Sequence, residues 1–153
     1  MKKLLFGLLL LSSATFGQKM SYRIGVMTSV PAEVNSSKEQ IAIGSTFMEV
    51  SKKLSEKIIA TGNVGYIKFN ADTKFALIPV MLGVRYPLNE SLNFGVSGGV
   101  GVYNTKAVGT QNFMFSPFIG ATVKRLSIDA RYISVVDKNN PIKTLALVFG
   151  FSL

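Results

Sequence analysis

Four charged side chains interrupt otherwise apolar stretches of this sequence, namely Arg23, Arg85, Asp129 and Arg131. The chemistry open to three guanidinium groups and one carboxylate is ion pairing, and charged side chains are rarely buried without such partners. We therefore predict that Asp129 and the arginines form a cluster of ion pairs. The alternative is that the same charges line a path for solutes.

The sequence offers no constellation of residues for catalysis or for binding a metal or cofactor. It contains no histidine and no cysteine, which excludes a Ser–His–acid triad, a Cys–His pair and the usual zinc ligands. The glycine-rich run Gly95–Gly101 lacks the Lys-Ser/Thr pair of a phosphate-binding loop. The eight acidic residues are scattered along the chain. We expect no catalytic residue, no metal and no cofactor.

The elements that must position the four charges are β-strands. Apolar residues alternate with small or polar ones over most of the chain, which is the period-two pattern of a strand. The clearest example is the end of the chain, where one face carries Leu145, Leu147, Phe149, Phe151 and Leu153. We count about eight such segments of roughly 10 to 12 residues, a length with which a tilted strand crosses a bilayer.

Two features depart from this strand pattern. The stretch Glu49–Ile59 is rich in lysine and glutamate and is the most helix-like part of the chain; we interpret it as a turn between strands. Pro79 and Pro117 fall inside predicted strands. Because proline cannot donate to a ladder of backbone hydrogen bonds, we predict a β-bulge at each.

The less apolar face of the strands distinguishes a membrane barrel from a soluble one. In a soluble barrel this face meets water and should carry many charges, but here it carries mainly Gly, Ser, Ala, Asn and Thr. Crowding in a narrow eight-stranded lumen explains Gly95, Gly99 and Gly101. The bulky face, with Phe94 and Phe149 among others, then meets lipid. All four charges are predicted to face the lumen, because an arginine facing lipid at mid-membrane costs about 2–4 kcal/mol.

The N-terminus and the connections fit an exported barrel. Residues 1–17 follow the order of a secretory signal, with Lys2 and Lys3 first, an apolar run next and small residues last. We predict a signal peptide at 1–17 and a barrel domain at 18–153. Longer polar connections alternate with shorter ones, as expected for outside loops and periplasmic turns.

Several segments together resemble the small outer-membrane β-barrel family of Gram-negative bacteria, the porin-like group related to the membrane domain of OmpA and to OmpX. The segments that carry the resemblance are Thr15–Gln18, Leu77–Tyr86, Gly95–Gly101, Ser116–Gly120 and Ile128–Tyr132. The resemblance implies an eight-stranded antiparallel up-and-down transmembrane β-barrel in the cell outer membrane, inserted by the outer-membrane insertion machinery. Family members often end in Phe, whereas this chain ends in Leu153, with Phe151 two residues earlier.

We predict a non-catalytic barrel with a structural or surface-interaction role and a plugged lumen. The alternatives are porin-like passage of small solutes or of an apolar ligand, and a soluble periplasmic ligand-binding barrel. Basic residues gather at predicted turns, where they are either ordinary solvated side chains or contacts for lipid headgroups and lipopolysaccharide phosphates; they are Lys52, Lys53, Lys57, Lys124 and Arg125. We expect a monomer that contacts outer-membrane lipid and lipopolysaccharide but no nucleic acid.

Overall fold

The computed structural model describes residues 20–29, 32–34, 37–42, 45–70, 75–103, 111–136 and 142–153. The predicted signal at 1–17 lies outside these ranges. The strands in them are β1 (Met20–Ser29), β2 (Ala32–Val34), β3 (Ser37–Ala42), β4 (Ser45–Lys53), β5 (Ile59–Asn70), β6 (Phe75–Pro87), β7 (Leu92–Tyr103), β8 (Gln111–Val123), β9 (Leu126–Val136) and β10 (Ile142–Ser152). No helix in the described part of the chain is long and apolar enough to cross a membrane.

Eight long strands form a closed antiparallel ring. The ring runs β1, β4, β5, β6, β7, β8, β9, β10 and back to β1, and each strand pairs with both neighbours. The first and last strands close it, with Gly25 opposite Gly150 and Val26 opposite Phe149. The predicted eight-stranded antiparallel barrel is confirmed. The short strands β2 and β3 pair with each other and with the ends of β10 and β5.

Short connections define one rim of the barrel, which we name the turn end. Residues 54–58, 88–91 and 124–125 join neighbouring strands there, and Lys124 takes a positive φ of 55° in the tightest turn. The opposite rim is named the loop end. The predicted turn at Glu49–Ile59 was too long, because strand β4 continues to Lys53 and only 54–58 forms the connection.

The outward face of the barrel is apolar between its two rims. Phe94, Phe149 and Phe151 point outward and remain exposed, as predicted for the bulky face. The large outward side chains of the eight long strands form what we call the outer belt, which includes Ile24, Val26, Met48, Val64, Val80, Leu82, Val84, Val100, Phe113, Phe115, Ile119, Ile128, Leu145 and Leu147. Exposed lysines such as Lys57, Lys68 and Lys143 lie nearer the ends of the strands.

The inward face is less uniformly small and polar than the sequence pattern indicated. Toward the loop end the interior is filled by an apolar layer, which consists of Met27, Phe47, Ile67, Leu77, Met81, Met114, Ile133, Val135, Ile142, Ala146 and Val148. Large inward residues fit because inward glycines leave room for them. A Cβ on Gly101 would lie 2.6 Å from the Met114 sulfur and 2.7 Å from Leu77 Cδ1.

The two strand prolines do not form bulges, so that prediction was wrong. On either side of Pro79, β5 and β6 pair Val64 with Val80 and Ile67 with Leu77, which is one continuous register. Strands β8 and β9 likewise keep their register past Pro117. Each proline interrupts the pairing with only one neighbouring strand, because the strand on its other side still pairs with it. Losing one ladder bond therefore requires no inserted residue.

Adjacent glycines on β7 provide a matched test of inward crowding. A Cβ on inward Gly99 would lie 2.7 Å from Met81 Cα and against the backbone of Val80, whereas a Cβ on outward Gly98 would approach nothing closer than 3.7 Å. We expect Gly99→Ala to lower the free energy of unfolding by about 1–3 kcal/mol through overpacking. Gly98→Ala should leave it unchanged or slightly raised. Urea unfolding of the barrel in lipid vesicles measures the free energy of unfolding of each variant. Equal stability of the two variants would contradict the inward crowding at Gly99.

Candidate functional site

Five buried charged side chains meet inside the barrel, and we name them the charged network. Arg23 comes from β1, Glu49 from β4, Arg85 from β6, and Asp129 and Arg131 from β9. Each sits at an inward position of its strand, because side chains alternate across the barrel wall. The network occupies the half of the interior toward the turn end, and the apolar layer fills the other half.

Asp129 receives hydrogen bonds from all three arginines. Its Oδ2 atom lies 2.7 Å from Arg23 Nη2, 3.2 Å from Arg85 Nη2 and 3.1 Å from Arg131 Nη2. Its side chain is completely buried. The carboxylate is therefore held by charge-assisted bonds from β1, from β6 and from its own strand β9.

Glu49 repeats this arrangement from β4, on another part of the barrel wall. Its Oε2 atom lies 3.0 Å from Arg23 Nη2 and 3.2 Å from Arg131 Nη2, and its Oε1 atom lies 3.1 Å from Arg85 Nη2. Each carboxylate thus contacts the same three guanidinium groups. Six ion pairs connect β1, β4, β6 and β9 across the lumen.

Neutral groups hold the arginines in place around the carboxylates. Arg85 Nη1 donates to Asn93 Oδ1 at 2.7 Å, and Arg23 Nη1 donates to Ser127 Oγ at 2.8 Å. The guanidinium carbons of Arg85 and Arg131 lie 4.8 and 4.3 Å from the centre of the Phe118 ring. This distance is typical of a cation–π contact, which is stronger when desolvated.

The structure brings all four sequence-predicted residues into one place and adds Glu49, which the sequence analysis missed. Glu49 was hidden because it begins the Lys- and Glu-rich window interpreted as a turn. Two signals point to it: Ser45, Phe47 and Glu49 continue an inward alternation, and three buried arginines require more than one carboxylate.

The basic residues of the turns belong to the rim and take no part in the charged network. Lys52, Lys53 and Lys57 lie at the β4–β5 connection, and Lys124 and Arg125 lie at the β8–β9 connection. These two connections stand on opposite sides of the ring, with β5 to β8 between them. They form two separate basic corners and not one patch. Among the described residues, no group of three or more acidic side chains could hold a metal ion.

The chain is similar to known proteins in its structure, although not in its sequence. No protein-family model matches the chain, and no curated protein matches it. Ail, the attachment invasion locus protein of Yersinia pestis, superposes with a TM-score of 0.65 at 13% identity, covering 90% of this chain and 100% of that one. Ail has also been solved in complex with the heparin analogue sucrose octasulfate.

Two further structures agree with this result. Neisserial surface protein A gives a TM-score of 0.57 at 12% identity, covering 89% of this chain and 99% of that one. A de novo designed transmembrane β-barrel gives 0.60 at 11% identity, covering 87% and 95%. The chain therefore has the fold of the small outer-membrane β-barrels, as the resemblance in its sequence implied.

Replacing Glu49 with glutamine tests the energetic role of the charged network. Glu49→Gln leaves three buried guanidinium groups with one carboxylate, and breaking a buried ion pair costs about 3–5 kcal/mol. Glu90 is an exposed carboxylate in the 88–91 turn, so Glu90→Gln should change stability by less than about 0.5 kcal/mol. Urea unfolding in vesicles compares the two, and an unchanged Glu49→Gln would show that the network does not stabilise the barrel.

Proposed function

We propose that the chain is an integral outer-membrane protein with a non-catalytic structural or surface-interaction role and a lumen closed to solutes. The observation that carries this proposal is the filling of the interior by two successive layers of side chains. The charged network spans the lumen in the half toward the turn end, and the apolar layer fills the half toward the loop end.

Each of the two layers blocks the passage of a different class of solute. An ion or polar molecule moving through the apolar layer would lose its hydration without gaining partners, which is costly. An apolar ligand would have to displace the six ion pairs of the charged network. A cavity lined by residues of both layers, among them Arg131 and Met81, has a volume of only about 20 Å³, which is room for about one water. These observations favour a closed barrel over porin-like passage.

The outer belt supports a place in the membrane. Soluble proteins rarely expose continuous apolar surfaces larger than a few hundred Å², and here the apolar outward residues follow every long strand of the ring. A soluble ligand-binding barrel would reverse this arrangement, with charges outward and an apolar cavity within. The closed ring also leaves no long edge strand that would pair with another chain, which supports a monomer.

The orientation of the barrel in the membrane determines which lipids its basic residues contact. If the turn end faces the periplasm, the basic corners at Lys53, Lys57, Lys124 and Arg125 meet phospholipid headgroups of the inner leaflet. Lipopolysaccharide phosphates would then contact Lys68 and Lys143, which point outward near the loop end. Insertion into the membrane would use the cellular machinery for outer-membrane barrels.

Planar-bilayer recording tests the closed lumen. We expect no stepwise conductance from the wild-type barrel, with insertion confirmed by heat-modifiable gel migration. The double variant Met114→Ala with Arg131→Ala shortens one side chain in each layer and should leak. Steady single-channel steps from the wild type would contradict the proposal and favour porin-like passage.

A charge placed in the outer belt tests the membrane placement. Leu82 points outward near the middle of β6 and is 76% exposed, whereas Leu88 lies in a turn and is 55% exposed. Leu82→Arg should lower the free energy of unfolding in vesicles by about 2–4 kcal/mol, because arginine is costly at mid-membrane. Leu88→Arg should have little effect near the headgroups. Equal stability of the two variants would count against a lipid-facing belt.

A further inference from the structure

A shallow groove crosses the outside of the barrel over five neighbouring strands, from β9 through β10, β1 and β4 to β5. Two rows of outward side chains line it, and in each row every member stands directly opposite the next one on the adjacent strand. The first row consists of Leu126, Phe151, Ile24, Met48 and Val64. The second row runs parallel to it and nearer the loop end, from Ile128 to Tyr66. We name this feature the outer groove.

The outer groove has the size and the lining of a binding site for a hydrocarbon chain. Its volume is about 840 Å³, and ligand sites usually fall between roughly 300 and 1,000 Å³. Its walls are almost wholly apolar. Four strand spacings make it roughly 19 Å long. The groove is therefore long, narrow and open to the lipid along its whole length.

The outer groove starts at the turn end and finishes near the middle of the barrel wall. Leu126 is the first residue of β9, whereas Val64 lies midway along β5. The rows run at right angles to the strands, so at the strand tilt of such barrels they rise by about 11–13 Å along the membrane normal. The hydrocarbon of one leaflet is about 15 Å deep. The groove thus matches the course of one acyl chain in the leaflet at the turn end.

Two cations stand at the turn-end opening of the outer groove. Lys124 and Arg125 form the tight turn that immediately precedes Leu126, and both side chains are exposed. No ion pair within the described ranges involves either of them. The other basic corner, with Lys53 and Lys57, has no such groove beside it, because the groove crosses β4 and β5 near their middles. The positive charge and the apolar groove coincide at the β8–β9 turn.

We propose that the outer groove binds one acyl chain of an anionic phospholipid whose headgroup phosphate contacts Lys124 and Arg125. The inference rests on the proposed function, which places the barrel in the membrane with its turn end at the periplasmic leaflet. Guanidinium and ammonium groups form charge-assisted bonds with phosphate oxygens, and basic side chains at a membrane surface favour anionic lipids. A zwitterionic lipid carries the same phosphate, but its own ammonium group offsets the charge. The bound lipid is therefore selected by its headgroup and held by its chain.

The experiment counts the lipids that stay bound to the barrel. The protein is refolded into phosphatidylcholine vesicles that contain one tenth phosphatidylglycerol, and native mass spectrometry follows gentle extraction into detergent. We expect one bound phosphatidylglycerol, enriched above its share of the vesicle. Lipids retained only in proportion to the vesicle composition, or a barrel dimer without lipid, would overturn the inference and leave the membrane placement intact. A barrel that does not insert, as judged by heat-modifiable gel migration, would overturn the proposed function as well.

Substitutions on the rim test the contact with the headgroup. Arg125→Gln removes one of the two cations and should lower the enrichment of phosphatidylglycerol about fivefold, the usual contribution of one basic side chain near an anionic membrane surface. Lys57→Gln is the matched control, since it removes an exposed cation from the other basic corner and should leave the bound lipid in place. Equal enrichment in Arg125→Gln and the wild type would overturn the headgroup contact.

A ring placed in the outer groove tests the contact with the acyl chain. Thr46 is exposed in the second row, between Val26 and Tyr66 on the adjacent strands. Thr46→Phe should occupy the groove and lower the enrichment although both cations remain. Val100→Phe adds the same ring to the outer belt on β7, away from the groove, and should keep the enrichment. Both variants should insert normally, because an outward phenyl ring suits lipid. Undiminished enrichment in Thr46→Phe would show that the lipid does not lie in the groove.

Discussion

The interior of an eight-stranded barrel is so narrow that the side chains pointing inward must fill it and satisfy one another. This constraint determines where the small residues of the chain lie. A Cβ on Gly120 would collide with the Asp129 carboxylate, and a Cβ on Gly150 would lie 2.8 Å from both Arg23 Cδ and Ser127 Oγ. The glycines beside the charged network are therefore required by the volume of the ion pairs.

The same constraint explains why the charged network is concentrated in one half of the interior. Ion pairs are stabilised when their donors and acceptors are fully matched and water is excluded. The apolar layer provides that exclusion on the side of the loop end. Met27, Met81 and Met114 are well suited to it, because flexible unbranched side chains fill irregular spaces. The two layers thus depend on each other.

The strand count, the closed ring and the direction of the bulky residues could be predicted from the sequence, because alternation with period two is a strong local signal. The inward direction of Arg23, Arg85, Asp129 and Arg131 followed from the same alternation and from the cost of a charge in lipid. Glu49 could not be recognised with equal ease, since Lys52, Lys53, Glu56 and Lys57 follow it and obscure the strand. The apolar layer was also missed, because large residues such as Leu77 alternate with equally large outward ones and the pattern does not distinguish the two faces.

Proteins that share this fold differ widely in sequence, so the fold and the particular side chains of this chain carry different information. A designed barrel and two bacterial proteins share the architecture at 11 to 13% identity, so many different side chains can build it. An outer apolar belt and an alternating, filled interior are sufficient for the fold, and neither feature implies a particular activity. The specific information in this chain lies in the identity of its interior groups: two carboxylates bound by the same three arginines. Three guanidinium groups and two carboxylates leave one more positive than negative charge among the described buried residues, an imbalance that the architecture alone does not require.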